Sequence, residues 1–214
     1  MAKRFPGYDV LAKREGISWN DATRRVITAR LNPPPGPRFF TPTEWPCLRA
    51  ICARILPQPD DRPPVAIADY VDQKLHDGVR DGYRYADLPE QGEAWRRGLA
   101  GVDEAARNTD DAAFSELLTE RQDRLLRSMQ AGELDGPAWC GMPAAAFFAH
   151  RLIPDITHAY YAHPTAWSEI GFGGPASPRG YVRMKLNRRD PWEAAEATTP
   201  SAEAKAAESN RRVR

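Results

Sequence analysis

The chain has 214 residues, a formal net charge of +1 and an apolar fraction of 42%, which suits one globular domain of moderate size with polar extensions. A near-neutral balance supplies no field for holding nucleic acid or anionic lipid non-specifically, and no apolar run approaches the length that crosses a bilayer. Cys47, Cys52 and Cys140 are spaced neither as a disulfide framework nor as a zinc knuckle; they read as buried or half-buried free thiols in a reducing compartment.

From Met1 to Arg38 the sequence is polar and basic, and it closes on Asn32-Pro33-Pro34-Pro35-Gly36-Pro37. That tract cannot continue a helix and prefers extended polyproline geometry. Residues 1–38 are therefore expected to form a leader and linker, 39–192 a helical domain, and 193–214 a flexible polar tail with residual helix around Ala194 to Ala207. Within the leader, Thr23-Arg24-Arg25-Val26-Ile27 superficially matches a twin-arginine export signal. The apolar stretch such a signal needs is replaced by Thr28, Arg30, Asn32 and the prolines, so no export signal is expected here.

Helical periodicity begins near Thr41. Thr43 reads as an N-cap with Pro46 in the first turn, where its missing N–H has no helical partner anyway. Trp45, Leu48, Ile51, Cys52, Ile55 and Leu56 then recur on one face until Pro57. A second helix carries Ile67, Tyr70, Val71 and Leu75, and Asp81 to Gly92 reads as a loop. A third, from about Glu93 to Arg107, has Trp95, Leu99, Val102 and Ala106 as its stripe, with Gly98 and Gly101 placed to admit another helix closely. A fourth is expected from a Thr109 or Asp110 cap through Phe114, Leu117, Leu118, Leu125, Leu126 and Met129 to a stop at Gly132. A fifth starts near Pro143 and holds Phe147, Phe148, Leu152, Ile153, Ile156, Tyr160 and Tyr161; Pro154 removes the backbone bond to His150 and predicts a kink or break. No stretch alternates like a strand. The fold class is all-α, a bundle of about five helices with a long irregular aromatic, Gly/Pro-rich C-terminal segment.

That segment, running to Tyr181, carries too much aromatic surface to lie loose in water. It must pack on its own helices or on another chain. Tyr, Trp and Arg are the usual anchors of interfaces, which makes Tyr160, Tyr161, Trp167, Phe172, Arg179 and Tyr181 the candidate partner-contact residues. For chemistry, His150, Asp155, His158 and His163 are the best metal candidates, yet no Glu-x-x-His pair or cysteine cluster completes a familiar shell. Gly171-Phe172-Gly173-Gly174-Pro175 lacks the flanking strand and helix of a dinucleotide loop. A Gly-x-Ser-x-Gly elbow and Cys-x-x-Cys-His are also absent. The sequence therefore points to no catalytic residue, cofactor or metal ligand of its own.

The order of these features resembles a known family. Leu48-Arg49-Ala50-Ile51-Cys52-Ala53-Arg54-Ile55-Leu56-Pro57-Gln58 is similar to the first helix of the small subunit (subunit 3, or gamma) of gluconate 2-dehydrogenase and related membrane-associated sugar dehydrogenases. Trp95 to Ala106 resembles its R-x-G-L-x-x-L-D-x-x-A segment, with Val102 in place of the usual leucine. Phe114, Leu117 and Gln122 to Leu126 are similar to the next helix. Phe147-Phe148, Tyr160-Tyr161-Ala162-His163-Pro164, Trp167 and Ile170 to Pro175 resemble the family's ending. The resemblance runs from about Phe40 to Trp192. The sequence departs from it in lacking a twin-arginine signal and the Gly-Gly-Asn that often follows the His-Pro.

What the resemblance implies is an all-helical accessory subunit without catalytic residues, supporting the folding, stability or export of a large FAD-dependent oxidoreductase of the glucose-methanol-choline (GMC) type. FAD is then expected in the partner, and a cytochrome c subunit often receives the electrons in such complexes. Absence of a signal places the chain in the cytoplasm; co-export with a signal-bearing partner would place it in the periplasm. Two alternatives stand beside this one: a free-standing helical metal- or haem-binding protein built on the histidines, and a generic helical adaptor.

Overall fold

The computed structural model describes residues 4–181, 189–190 and 192–213. Among them the regular elements are helical: α1 (Asp21–Leu31), α2 (Glu44–Ile55), α3 (Ile67–His76), α4 (Gln91–Asp110), α5 (Thr119–Ala131), α6 (Ala144–Phe147), α7 (Ile153–Tyr161), α8 (Pro164–Ile170) and α9 (Glu203–Arg211). The chain is all-α, as its periodicities require; an isolated parallel bridge joins Trp19 to Ser177. Two compact units divide it, a middle unit of Pro33–Ala159 and a terminal unit of Met1–Asn32 with Tyr160–Arg214.

In the middle unit the helical stripes supply the core. Leu48 and Ile51 of α2, Trp95, Leu99 and Val102 of α4, Met129 of α5 and Phe147 of α6 are all essentially inaccessible to solvent, and full burial of each large side chain is worth about 1.5–3 kcal/mol. The α2 N-terminus is fixed reciprocally: Thr41 Oγ1 accepts from Glu44 N at 3.2 Å while Thr41 N donates to Glu44 Oε2 at 2.7 Å, a capping box. Gly98 and Gly101 are notches in α4. A Cβ at either would lie 2.3 Å from the ring of Phe147 or Trp139 respectively, so these glycines admit aromatic side chains at distances any other residue would forbid.

Two expectations are corrected here. The helix expected from Thr109 to Gly132 is split: α4 extends to Asp110, Asp111 turns left-handed at φ 54°, Phe114–Glu116 makes a 3-10 turn, and α5 starts only at Thr119. The break is stabilised by Asp103, whose carboxylate accepts from Phe114 N at 2.9 Å, and it leaves Leu118 exposed rather than in a stripe. At Pro154 the helix does not break. Phe148–Leu152 forms a π turn, with Ile153 N donating to Phe148 O; widening the turn absorbs the hydrogen bond that proline cannot make.

The terminal unit is where the structure departs most from the expected leader and tail. Phe5, Tyr8, Val10, Trp19 and Ile27 from the beginning of the chain share one core with Trp167, Ala194 and Val213. The leader folds as a 3-10 turn over Val10–Lys13 and as α1, N-capped by Asn20 through a bond from Thr23 N. The tail holds α9, with Ala206 and Asn210 buried. Large apolar residues are sparse in both stretches, but a few from each end suffice when they converge.

Candidate partner-docking surface

The irregular C-terminal segment starts where α8 ends at Gly171, whose φ of 69° makes a left-handed cap. It lies in no ladder or helix, and backbone and side-chain groups from the leader pair with it. Trp19 Nε1 donates to Pro175 O at 2.9 Å, Asn20 N to Ser177 O at 2.8 Å, and the fully buried Lys13 gives its Nζ to Gly173 O. Burial pushes the Lys13 ammonium down to about 8, helped by Arg179 and opposed by Glu193. Burial likewise pushes the Tyr8 hydroxyl well above its ordinary range.

The six candidate contact residues separate by exposure. Trp167 is buried in the terminal unit's own core, its Nε1 donating to Tyr161 O at 2.7 Å, and Tyr160 is buried with its hydroxyl on Glu169. Arg179 lies with its guanidinium 4.7 Å from the Trp192 ring centroid. Tyr161, Phe172 and Tyr181 remain 49%, 45% and 43% exposed. Phe172 and Tyr181 stack with centroids 6.5 Å apart and planes 6° from parallel, and Tyr181 meets Trp192 edge-on at 4.8 Å. A depression of about 540 Å³ opens beside them, lined by Gly171, Phe172, Gly173, Tyr181 and Glu193. Half the aromatic surface thus holds the segment in place, and the rest forms a ledge of rigid amphipathic side chains of the sort that anchors interfaces.

The four metal candidates are not brought together. His150 stacks on Tyr85 at 3.9 Å, His158 is exposed, and His163 caps α8 by accepting from Thr165 N at 3.2 Å. Asp155, 1% exposed at its side chain, accepts from Trp95 Nε1 at 2.7 Å and from Lys74 Nζ at 2.8 Å. Among the described residues no group of three or more His, Cys, Asp or Glu is arranged to hold a metal ion. The thiols differ from one another too. Cys47 and Cys52 are buried, whereas Cys140 is exposed rather than buried or half-buried. Burial pushes the Cys52 thiol up to about 12 and Cys47 higher still.

Of two buried charges of the middle unit, sequence reasoning named Asp155 only as a metal candidate and missed Asp72. Asp155 belongs to a network in which Lys74 Nζ also reaches Asp81 Oδ1 at 2.7 Å, and Arg151 Nη1 donates to Asp81 Oδ2 at 2.6 Å. Burial alone would push the Asp81 carboxyl up, but the bonds from Lys74 and Arg151 hold it below its ordinary value; Asp155 and Asp81, against burial, hold Lys74 above its own. Asp72 accepts from three successive backbone N–H groups, those of Arg38, Phe39 and Phe40, at 2.8–3.0 Å, and so fixes the exit of the proline tract against α3. The available signal was the i,i+4 pair Arg151 and Asp155 within an otherwise apolar helix, a placement that needs partners elsewhere.

Among the described residues no helix is long and apolar enough to cross a membrane. Compared with known proteins, the chain matches the family model described as gluconate 2-dehydrogenase subunit 3 over residues 42–174. No curated protein and no solved structure gives a match. The matched span takes in α2 to α8, including the notched α4, the π turn and the His163-capped helix that leads into the aromatic ledge, and it exceeds half of the sequence: the chain belongs to the gluconate 2-dehydrogenase subunit 3 family.

Proposed function

We propose that this chain is a non-catalytic accessory subunit of a dehydrogenase complex, in which a large FAD-dependent GMC-type oxidoreductase carries the flavin and oxidises a sugar, sugar acid or related alcohol, and a cytochrome c subunit takes the electrons. Its task is to support the folding, stability or export of the flavoprotein. Membership of the family, whose description names a dehydrogenase subunit, is the observation that carries this reading. The stacked pair Phe172 and Tyr181 and the separately exposed Tyr161 support it, since rigid aromatics at the surface supply contact area at small entropic cost.

Co-expression with a flavoprotein encoded beside it tests the reading. The expected result is a yellow complex that co-purifies, with the flavoprotein losing solubility when this chain is omitted. Replacing Phe172 and Tyr181 by Ser should weaken the complex by at least about tenfold, as loss of two aromatic anchors does. A flavoprotein that is equally soluble and active without this chain overturns the proposal, as does sugar oxidation by the chain alone.

A further inference from the structure

Beside the charge network of the middle unit, the loop after α3 and the first turn of α4 border an open pocket of about 350 Å³ lined by Arg80, Gly82, Tyr83, Arg84, Gln91 and Arg151, with Asp81 and Glu90 at its walls. That is far larger than one water needs and lies at the lower end of small-molecule sites. Two of its lining side chains are buried and carry unpartnered donors: Arg151, 4% exposed, has no partner for Nε, and Gln91, 9% exposed, has none for Nε2. Buried polar groups are almost always paired, so two orphans on one cavity call for an occupant. Both orphans are N–H donors. What fits them is an acceptor.

Charge narrows the acceptor further. Arg80, Arg84 and Arg151 border the cavity, and Gln91 is the first residue of the 20-residue α4, whose N-terminal end favours anions. The two carboxylates present are already engaged. Asp81 holds Lys74 and Arg151, while Glu90 caps Gly92 N at 2.9 Å and lies 3.7 Å from Arg80. Arg84 makes no ion pair or hydrogen bond among the described residues. Arg151 spends Nη1 on Asp81, which leaves the Nε edge of its guanidinium, the edge that meets a planar carboxylate side-on through two parallel bonds. The loop is also held in place, by Lys74 on Asp81, by Tyr85 stacked on His150 at 3.9 Å and by buried Leu88. We propose that this cavity is a binding site for a small free carboxylate, received by the Nε edge of Arg151 and the amide of Gln91, with Arg84 as the outer cation.

The test follows arginine Nε–H resonances of the full chain by ¹H–¹⁵N NMR during titration with sodium acetate, against sodium chloride at matched ionic strength. One buried Nε–H signal, that of Arg151, should shift saturably with acetate and stay still with chloride. Gln91→Leu should weaken acetate binding by about tenfold, the loss of one hydrogen bond to a charged group, and Arg84→Ala, at an exposed position that folding does not need, by about threefold for an outer cation. Equal response to chloride, a linear response that never saturates, or equal affinity for inorganic phosphate overturns the proposal. In the complex with its dehydrogenase partner the signal should still titrate; if it is already displaced and silent to acetate, an acidic side chain of the partner fills the site and the free ligand is refuted.

Discussion

The two units of this chain are held together by different means. The middle unit is a set of amphipathic helices whose faces interlock, with Phe147 and Trp139 seated in the Gly98 and Gly101 notches of α4 and one enclosed network of charges around Asp155. The terminal unit has short helices and long irregular stretches, and its apolar core is tied by bonds from side chains to distant backbone: Trp19 to Pro175, Lys13 to Gly173, Asn210 to Pro6. Packing between regular faces satisfies backbone groups automatically, whereas an irregular segment needs a separate partner for each one. The middle unit should therefore be most sensitive to changes of charge and volume, and the terminal unit to the loss of single polar ties.

The largest effect is expected from Asp155→Ala. Removing the carboxylate leaves Lys74, Arg151 and the Trp95 indole facing a void in a buried site, which typically costs about 3–5 kcal/mol. Urea denaturation followed through 5-fluorotryptophan at Trp95 and Trp139 should show the middle unit melting at much lower denaturant, with Trp19 and Trp167 reporting a smaller change. A loss confined to the Trp19 signal would break the contrast between the units.

The same contrast explains what could be read in advance. The stripes of α2, α3 and α4 were legible because Trp45, Leu48, Ile51 and Trp95, Leu99, Val102 repeat at helical spacing within one element. The core of the terminal unit was not, because Val10, Trp19, Ile27, Ala194 and Val213 stand singly in polar surroundings, and periodicity is blind to residues that converge from opposite ends of a chain. For the docking surface, residue type marked the right segment but not its orientation: Trp167 and Phe172 are five apart and equally apolar, and only the path of the backbone decides that one fills the core while the other faces out. The pocket beside Arg151 left no motif at all, since Arg80, Gln91 and Arg151 come from three separate stretches.

Next in size is Asn210→Ala. This buried amide donates to Pro6 O at 2.8 Å and Ala195 O at 3.0 Å and accepts from Ala195 N at 2.7 Å. Truncation strands these groups and costs about 2 kcal/mol. Hydrogen exchange should rise around Ala195 and in α9, leaving α4 protected. Gly98→Ala reverses the target. Its methyl would meet a Phe147 ring already edged by Trp95 at 5.4 Å and Trp139 at 6.2 Å, so overpacking exceeds the gain in helix propensity and a net loss of about 1–2 kcal/mol is expected in the middle unit. An unchanged urea midpoint would show that the ring can retreat.

The effect that separates the units most sharply is that of pH. Lys13 ionises near 8 in the folded terminal unit against an ordinary 10.5, so between those values the unfolded chain holds a proton that the folded one has lost, and stability rises with pH. Tyr8 acts oppositely: its raised folded value means that above about 10 the unfolded chain sheds a proton the folded one keeps, and stability falls. The terminal unit should therefore gain resistance to urea from about pH 8 upward and be most resistant at about pH 10, read from the fluorine signals of Trp19 and Trp167. In the middle unit the raised thiols of Cys47 and Cys52 give only a decline above an ordinary 9.0. Lys13→Met should abolish the rise and Tyr8→Phe the fall, each without altering the Trp95 profile. If Lys13→Met leaves the rise intact, the lysine is not the group whose burial ties the leader to the aromatic segment.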